Sequence, residues 1–169
     1  MTIVYYNNIV VNVIPALVSL AGSPWDVLPP GVHTATLAEV ETIFATNVRR
    51  RDLYEGLLVA SLALYLAGCG RIFLDGSYVT AKPLPGDYDA CWDPAGIDPA
   101  KLHPVFSDFS NKRQAQKDKF KGEFFPSTML NAPTQPFVDF FQIDRFTGKA
   151  KGILLIVLPA DPMLKRRMS

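Results

Sequence analysis

The sequence predicts an α/β domain of the α+β kind, in which short apolar strands and helices share one core. Three observations carry this expectation. Apolar runs of strand length, Arg71–Leu74, Glu123–Phe125 and Gly152–Leu158, are bounded by glycine or proline. Two longer segments, beginning at Thr36 and at Asp52, repeat apolar residues with helical spacing. A chain of 169 residues, 49% hydrophobic and 20% charged, is long enough for one sizeable core and too apolar to be disordered.

Thr2–Tyr6 and Ile9–Ile14 read as two strands around Asn7-Asn8, a hairpin-like extension. Ile9–Gly22 is fairly apolar, but Asn12 and Pro15 interrupt it and no Lys or Arg precedes it. It is also shorter than the about 20 residues that span a bilayer. Gly22–Thr34 carries Pro24, Pro29, Pro30 and Gly31 and reads as a loop. Thr36-x-x-Glu39 is a capping box, and Leu37, Val40, Ile43, Phe44 and Val48 fall near one face of the helix it opens, a core-packing face. Arg49, Arg50 and Arg51 then read as a solvated connection, with phosphate or RNA contact as the functional alternative. Asp52–Ala67 is a helix apolar on most sides, ended by Gly68 and Gly70 and suited to burial between layers or against a partner.

In the second half, Asp98-Pro99 reads as a helix start, with short helix to Phe106. Ser110–Lys121 carries Lys112, Arg113, Lys117, Lys119 and Lys121, a solvated helix face or a partner or nucleic-acid contact. Val138–Phe141 is a short helix or strand, and Arg145–Gly148 a turn. Gly152–Leu158 is a buried strand by length and composition. The division this gives is 1–34 as N-terminal strands and Pro-rich loop, 35–160 as the main domain, and 161–169 as the tail, with Lys165-Arg166-Arg167 frayed.

Composition excludes several classes of function. A net charge of +1 gives no global electrostatic case for a nucleic-acid coat or a membrane-surface protein. The 2 cysteines, Cys69 and Cys91, lie in apolar segments and read as buried free thiols of a reducing, cytoplasmic compartment. His33 and His103 are isolated, and nothing has zinc spacing. No Gly-x-x-x-x-Gly-Lys-Ser/Thr occurs. An EF-hand counted from Asp87 fails, because Cys91 and Trp92 stand where an oxygen ligand and a glycine are needed.

The chemistry concentrates between residues 74 and 89. Strand Arg71–Leu74 leads through Asp75 into Gly76-Ser77, and Asp87-Tyr88-Asp89 follows on a second strand. Side chains alternate along a strand, so Asp87 and Asp89 share a face with Cα atoms about 6.6 Å apart. Two carboxylates about 4 Å apart repel by roughly 4 kcal/mol at an effective dielectric of 20. A bound Mg²⁺, which takes carboxylate and phosphate oxygens, removes that repulsion. Gly76 permits close backbone approach to a phosphate, and Ser77 adds a hydroxyl. Lys82 can reach a triphosphate as a point charge, and Thr80 can help position it.

These residues resemble the signature of the DNA polymerase β-like nucleotidyltransferase superfamily: a hydrophobic strand, Gly-Ser, a gap of about ten residues, then Asp-x-Asp. The wider pattern is similar to an uncharacterised bacterial family of small nucleotidyltransferase-like proteins. It comprises Leu28-Pro29-Pro30-Gly31, Arg71–Thr80, Pro85–Asp89, Phe140-Phe141-Gln142 and Lys151-Gly152-Ile153. The resemblance implies a mixed β-sheet flanked by helices. It also implies two Mg²⁺ ions held by Asp87, Asp89 and a third carboxylate, with an NTP as substrate cradled by Gly76 and Ser77. Glu123 is the choice for the third ligand or base, with Asp139 and Asp144 behind it. Asp75 departs from the pattern, since an apolar residue is common before the glycine. The reaction implied is transfer of a nucleotidyl group, often AMP from ATP, to a protein or nucleic-acid (RNA) hydroxyl or to a small molecule. Proteins of this type often pair with a helical partner in toxin–antitoxin or phage-defence modules. The alternative expectation is a catalytically inactive binding module of the same fold, an antitoxin, regulator or nucleotide sensor. An unrelated α/β protein would put Asp87 and Asp89 across the sheet from Ser77.

Overall fold

The computed structural model describes residues 3–6, 9–12 and 14–168, with side chains from residue 14 onward. Strands β1 (Ile3–Tyr6) and β2 (Ile9–Asn12) pair antiparallel, Tyr6 opposite Ile9. Of the expected hairpin, Thr2, Asn7, Asn8 and Val13 lie outside the described residues. The chain continues through β3 (Gly31–Thr34), α1 (Leu37–Phe44), α2 (Val48–Leu66), β4 (Arg71–Asp75), β5 (Tyr88–Trp92) and α3 (Gln114–Phe120). It ends with β6 (Gly122–Pro126), β7 (Leu130–Ala132), β8 (Gln135–Pro136), α4 (Phe137–Phe140), β9 (Gly152–Val157) and α5 (Pro162–Met168).

The fold is mixed α/β. Its main sheet has five strands in the order β3-β9-β4-β5-β6. The outer pairs, β3 with β9 and β5 with β6, are parallel; the inner pairs are antiparallel. The two faces of the sheet are clad differently, as period-two alternation requires. Ile72, Leu74, Ala90, Trp92, Phe124, Leu154 and Ile156 pack under α1 and α2 in the main core. Cys91, Phe125 and Ile153 face the other way, against Phe141 with Phe137 and Val138 around it. That second cover is small and leaves the end of the sheet near Asp75 and Asp89 open.

Local sequence explains the helices. Thr36 Oγ1 accepts from Glu39 N at 3.2 Å, and Glu39 Oε2 accepts from Thr36 N at 2.6 Å, completing the expected capping box. Helix α2 starts at Val48 rather than Asp52, because Asn47 caps it by accepting from Arg50 N at 2.9 Å. Gly56 lets α2 approach the end of α3: a Cβ there would meet the Phe120 carbonyl oxygen at 2.0 Å.

Four expectations need correction. Gly31–Thr34 is not a loop but the edge strand β3, since Pro29 and Pro30 precede the paired residues and no ladder bond is lost to them. Asp98–Phe106 is turn followed by a 3-10 turn at Pro104–Ser107, with no α-helix. The tail is not frayed: α5 docks through the buried Leu164, and Asp161 accepts from Leu37 N. Arg49 and Arg50, in the first turn of α2, do not form a solvated link or a free phosphate contact, whereas Arg51 is exposed. Arg49 donates to the carbonyls of Pro85 and Gly86. Arg50 is buried, 4% exposed, and its guanidinium donates to the carbonyls of Phe44, Tyr78, Thr80 and Lys82. Together they hold the segment from Gly76 to Gly86 against α2.

Arg50→Ala is therefore expected to destabilise the fold by about 3 kcal/mol, the scale of stranding several carbonyls that a buried charge satisfied. Arg50→Lys should recover little, because one ammonium cannot reproduce a planar fan of donors. Urea unfolding of the two variants checks both statements.

Candidate functional site

Register builds the site. Across β4, β5 and β6, Asp75 stands opposite Asp89, and Asp89 opposite Glu123. Residues paired in this way share a face with Cβ atoms about 5 Å apart. Three acidic side chains thus lie in one row, and Asp87, two residues before Asp89, flanks it just ahead of β5. Ser77, Asp87 and Asp89 line one cavity of about 340 Å³ together with Gly76, Thr80, Lys82 and Glu123. All seven sequence-predicted site residues therefore meet, and Ser77 is on the same side as the acids.

The approach is close. Gly76 has φ +83° and ψ −175°, a backbone conformation essentially confined to glycine. A Cβ there would meet Asp89 Oδ2 at 2.6 Å and Asp89 N at 2.9 Å. Glycine is thus required both by the turn and by the carboxylate it admits.

Most charges of the row are already matched. Lys151, the residue before β9, donates to Asp75 and to the Phe141 carbonyl, all within the protein interior. Burial still pushes the Asp75 carboxyl up, with Lys151 opposing the shift. Arg113 donates to Glu123 Oε2 at 2.9 Å and lies over the Phe125 ring at 4.9 Å. Lys117 reaches Glu123 Oε1 at 2.5 Å and Asp87 Oδ2 at 3.6 Å. The Glu123 hydrogen bond raises the Lys117 ammonium above its ordinary range. Lys117 comes from α3 and Arg113 from the residue just ahead of it; α3 runs along the edge of β6, where Gln116 accepts from Phe124 N at 2.7 Å.

Three polar groups in the cavity have no partner among the described residues: the Ser77 hydroxyl, the Lys82 ammonium and the Asp89 carboxylate. Asp89 carries the electrostatic strain of the row. Its pKa is pushed up to about 7, first by burial and then by Asp75, Asp87 and Glu123, with Arg113 opposing. Thr80 differs from Ser77: its hydroxyl closes the turn by donating to the Ser77 carbonyl at 2.7 Å. Asp144 lines the far side of the cavity, but it caps its own turn, accepting from Phe146 N and Thr147 N. Asp139 does not line the cavity. Cys91 points along the same face, and burial holds it as an un-ionised thiol.

Sequence reasoning missed the matching cations and the aromatic wall. Arg113 and Lys117 read as part of a solvated helix, but Arg113 sits just ahead of α3 with a left-handed backbone, φ +61°, that helical spacing does not foresee. Lys151 appears only as part of a similarity pattern. Opposite the acids, Trp25, Phe137, Phe140 and Phe146 line the cavity.

The donor set suits a hard divalent cation in part. Asp87 and Asp89 offer carboxylate oxygens, and Mg²⁺ commonly takes one or two carboxylates and completes its shell with phosphate and water oxygens. Both oxygens of Glu123 are engaged by bases. Among the described residues, no group of three or more His, Cys, Asp or Glu side chains is placed to hold a metal unaided.

The raised pKa of Asp89 has a measurable sign. A carboxyl that binds its proton more tightly folded than unfolded contributes stability at low pH and loses it as pH rises through the folded value. In metal-free buffer, Asp89→Asn should therefore gain on wild type in thermal unfolding between about pH 4 and about pH 7. A stability difference independent of pH would mean that Asp89 titrates normally.

No helix among the described residues is long and apolar enough to cross a membrane. Cys69 and Cys91 are free and buried, as their apolar surroundings predict. No curated protein matches this chain, and no solved structure matches it. Residues 23–157 match DUF6932, described as a family of unknown function, over the whole of the main sheet and every side chain of the acidic row. That match covers well over half of the chain, which therefore belongs to the DUF6932 family.

Proposed function

We propose that the cavity is the active site of a Mg²⁺-dependent nucleotidyltransferase of the DNA polymerase β-like kind. It would move a nucleotidyl group, AMP from ATP in the first instance, to a protein or nucleic-acid hydroxyl. The observation that carries this reading is the meeting of three unpartnered groups of complementary chemistry in one cavity. Ser77 and Lys82 suit phosphate oxygens, and Asp89, with Asp87 beside it, suits a cation.

In this reading Gly76 brings the backbone close to the phosphates, and Ser77 donates its hydroxyl to them. Lys82 approaches as a point charge. Asp87 and Asp89 would hold Mg²⁺, which supplies charge stabilisation to the phosphoryl oxygens and lowers the pKa of a bound hydroxyl. Glu123, next to Asp89 in register, would take the proton of the acceptor hydroxyl once its own bases are displaced. Arg50 and Arg49 hold the phosphate-facing segment rigid, which supports pre-organisation. Two buried free thiols suit a reducing, cytoplasmic compartment.

One observation favours a second reading. Glu123 is fully engaged by Arg113 and Lys117, which suits a fold that binds nucleotide without turning it over, as a regulator, sensor or toxin–antitoxin component would.

Calorimetry with each NTP, with and without Mg²⁺, together with pyrophosphate release, separates the two readings. Asp87→Asn and Asp89→Asn should each retain the wild-type circular dichroism spectrum and lower pyrophosphate release by about 100-fold or more, the scale of losing one charge-stabilising group. Metal-dependent binding without any pyrophosphate release would select the binding module. Release unchanged in both variants would remove the site from consideration.

A further inference from the structure

At the β6 end of the cavity, acids and bases neutralise one another. Asp87 and Glu123 share Lys117, and Glu123 also holds Arg113. Those are the carboxylates and cations that a metal-bound triphosphate would need separately. A divalent cation requires oxygens that Lys117 now occupies, and a triphosphate requires positive charge that Glu123 now occupies.

We propose that Arg113 and Lys117 are the principal triphosphate-binding cations of this site, held on Glu123 and Asp87 until metal and nucleotide arrive together. The inference rests on the nucleotidyltransferase reading and deepens it. Binding is then an ion exchange. The metal would take Asp87 with Asp89, Glu123 would be freed, and the two bases would transfer to phosphate oxygens, to which Arg113 can offer two parallel donors and Lys117 a compact charge. Neither ligand alone completes the exchange. Metal alone faces Lys117 across Asp87, and triphosphate alone leaves Glu123 without its cations beside Asp89. Each ligand therefore strengthens the other, and by linkage the strengthening is mutual.

The geometry gives both bases the freedom to move. The Lys117 side chain is 32% exposed and that of Arg113 29%, whereas the Lys151 partner of Asp75 is 10% exposed. Lys151 is fixed also by the Phe141 carbonyl, so it stays with Asp75 while the outer pair exchanges. The row thus has one permanent ion pair at β4 and one exchangeable cluster at β6.

The test uses the full chain, with two probes kept apart: Mn²⁺ alone, followed by electron paramagnetic resonance, and inorganic triphosphate alone in metal-free buffer, followed by calorimetry. Lys117→Met should bind Mn²⁺ about fivefold more tightly than wild type and triphosphate about fivefold more weakly, on the scale of one partly exposed ion pair. Opposite signs are the signature of exchange, because a merely structural role for Lys117 moves both affinities the same way. Changes of the same sign, or no change, overturn the proposal. Asp89→Asn separates that failure from failure of the metal site: if it loses the Mn²⁺ binding of wild type, the metal site stands even when the exchange does not. Absence of Mn²⁺ binding in wild type and in Lys117→Met overturns both.

Discussion

Three carboxylates in one row across adjacent strands are the constraint around which the rest of the molecule is arranged. At about 5 Å and an effective dielectric of 20, each neighbouring ionised pair would cost about 3 kcal/mol. No isolated domain of this size carries two such terms without compensation, since its whole stability is on the order of 10 kcal/mol. The chain answers with a different solution at each position. Asp75 takes Lys151 from just ahead of β9, and Glu123 takes Lys117 from α3 and Arg113 from just ahead of it. Asp89, in the middle, takes no base and instead holds its proton more tightly. The central position, left without a counter-charge of its own, is where an external cation gains most.

The same arrangement explains why the cavity is where it is. One sheet face is closed by two helices and a continuous apolar core, while the other has only the aromatic cluster around Phe125, Phe137 and Phe141. Acids could not be seated on the first face without stranding charge in a core. On the second, the aromatic cover stops short of the strand ends, and the acids occupy what it leaves. The segment after β4 would be free to wander over this opening, were it not fastened from behind by Arg49 and Arg50. Opening and support are thus supplied from opposite sides of the sheet.

How much of this is legible in sequence follows from how local each feature is. The turn at Gly76-Ser77 and the strand carrying Asp89 are written in consecutive residues, as is the capping box at Thr36. Glu123 is accessible because the short run Glu123–Phe125 has strand composition and a helix before it. Edge strand β3 is not legible: the prolines that mark Pro29-Pro30 as loop end one residue before pairing begins. Arg50 reads as solvent-exposed because its carbonyl partners, at Tyr78, Thr80 and Lys82, lie far along the chain in a segment with no helical or strand pattern. Lys151 and Asp75 meet only through the pairing of β4 with β9. Sequence pattern reports which side chains are apolar at which period; it is silent about which distant charge a buried acid will find.

The place of β9 in the sheet has a consequence for assembly. It lies between β3 and β4, yet it is the last strand in the chain. Strands β4, β5 and β6 follow one another and can align as soon as they exist, bringing the acids side by side. Until β9 is inserted, β3 has no neighbour in the sheet and Asp75 has no lysine. Insertion of this one strand closes the sheet and delivers Lys151 in the same event. Neutralisation of Asp75 is therefore a long-range contact that couples strand order to charge balance, unlike that of Glu123, whose bases lie within ten residues of it.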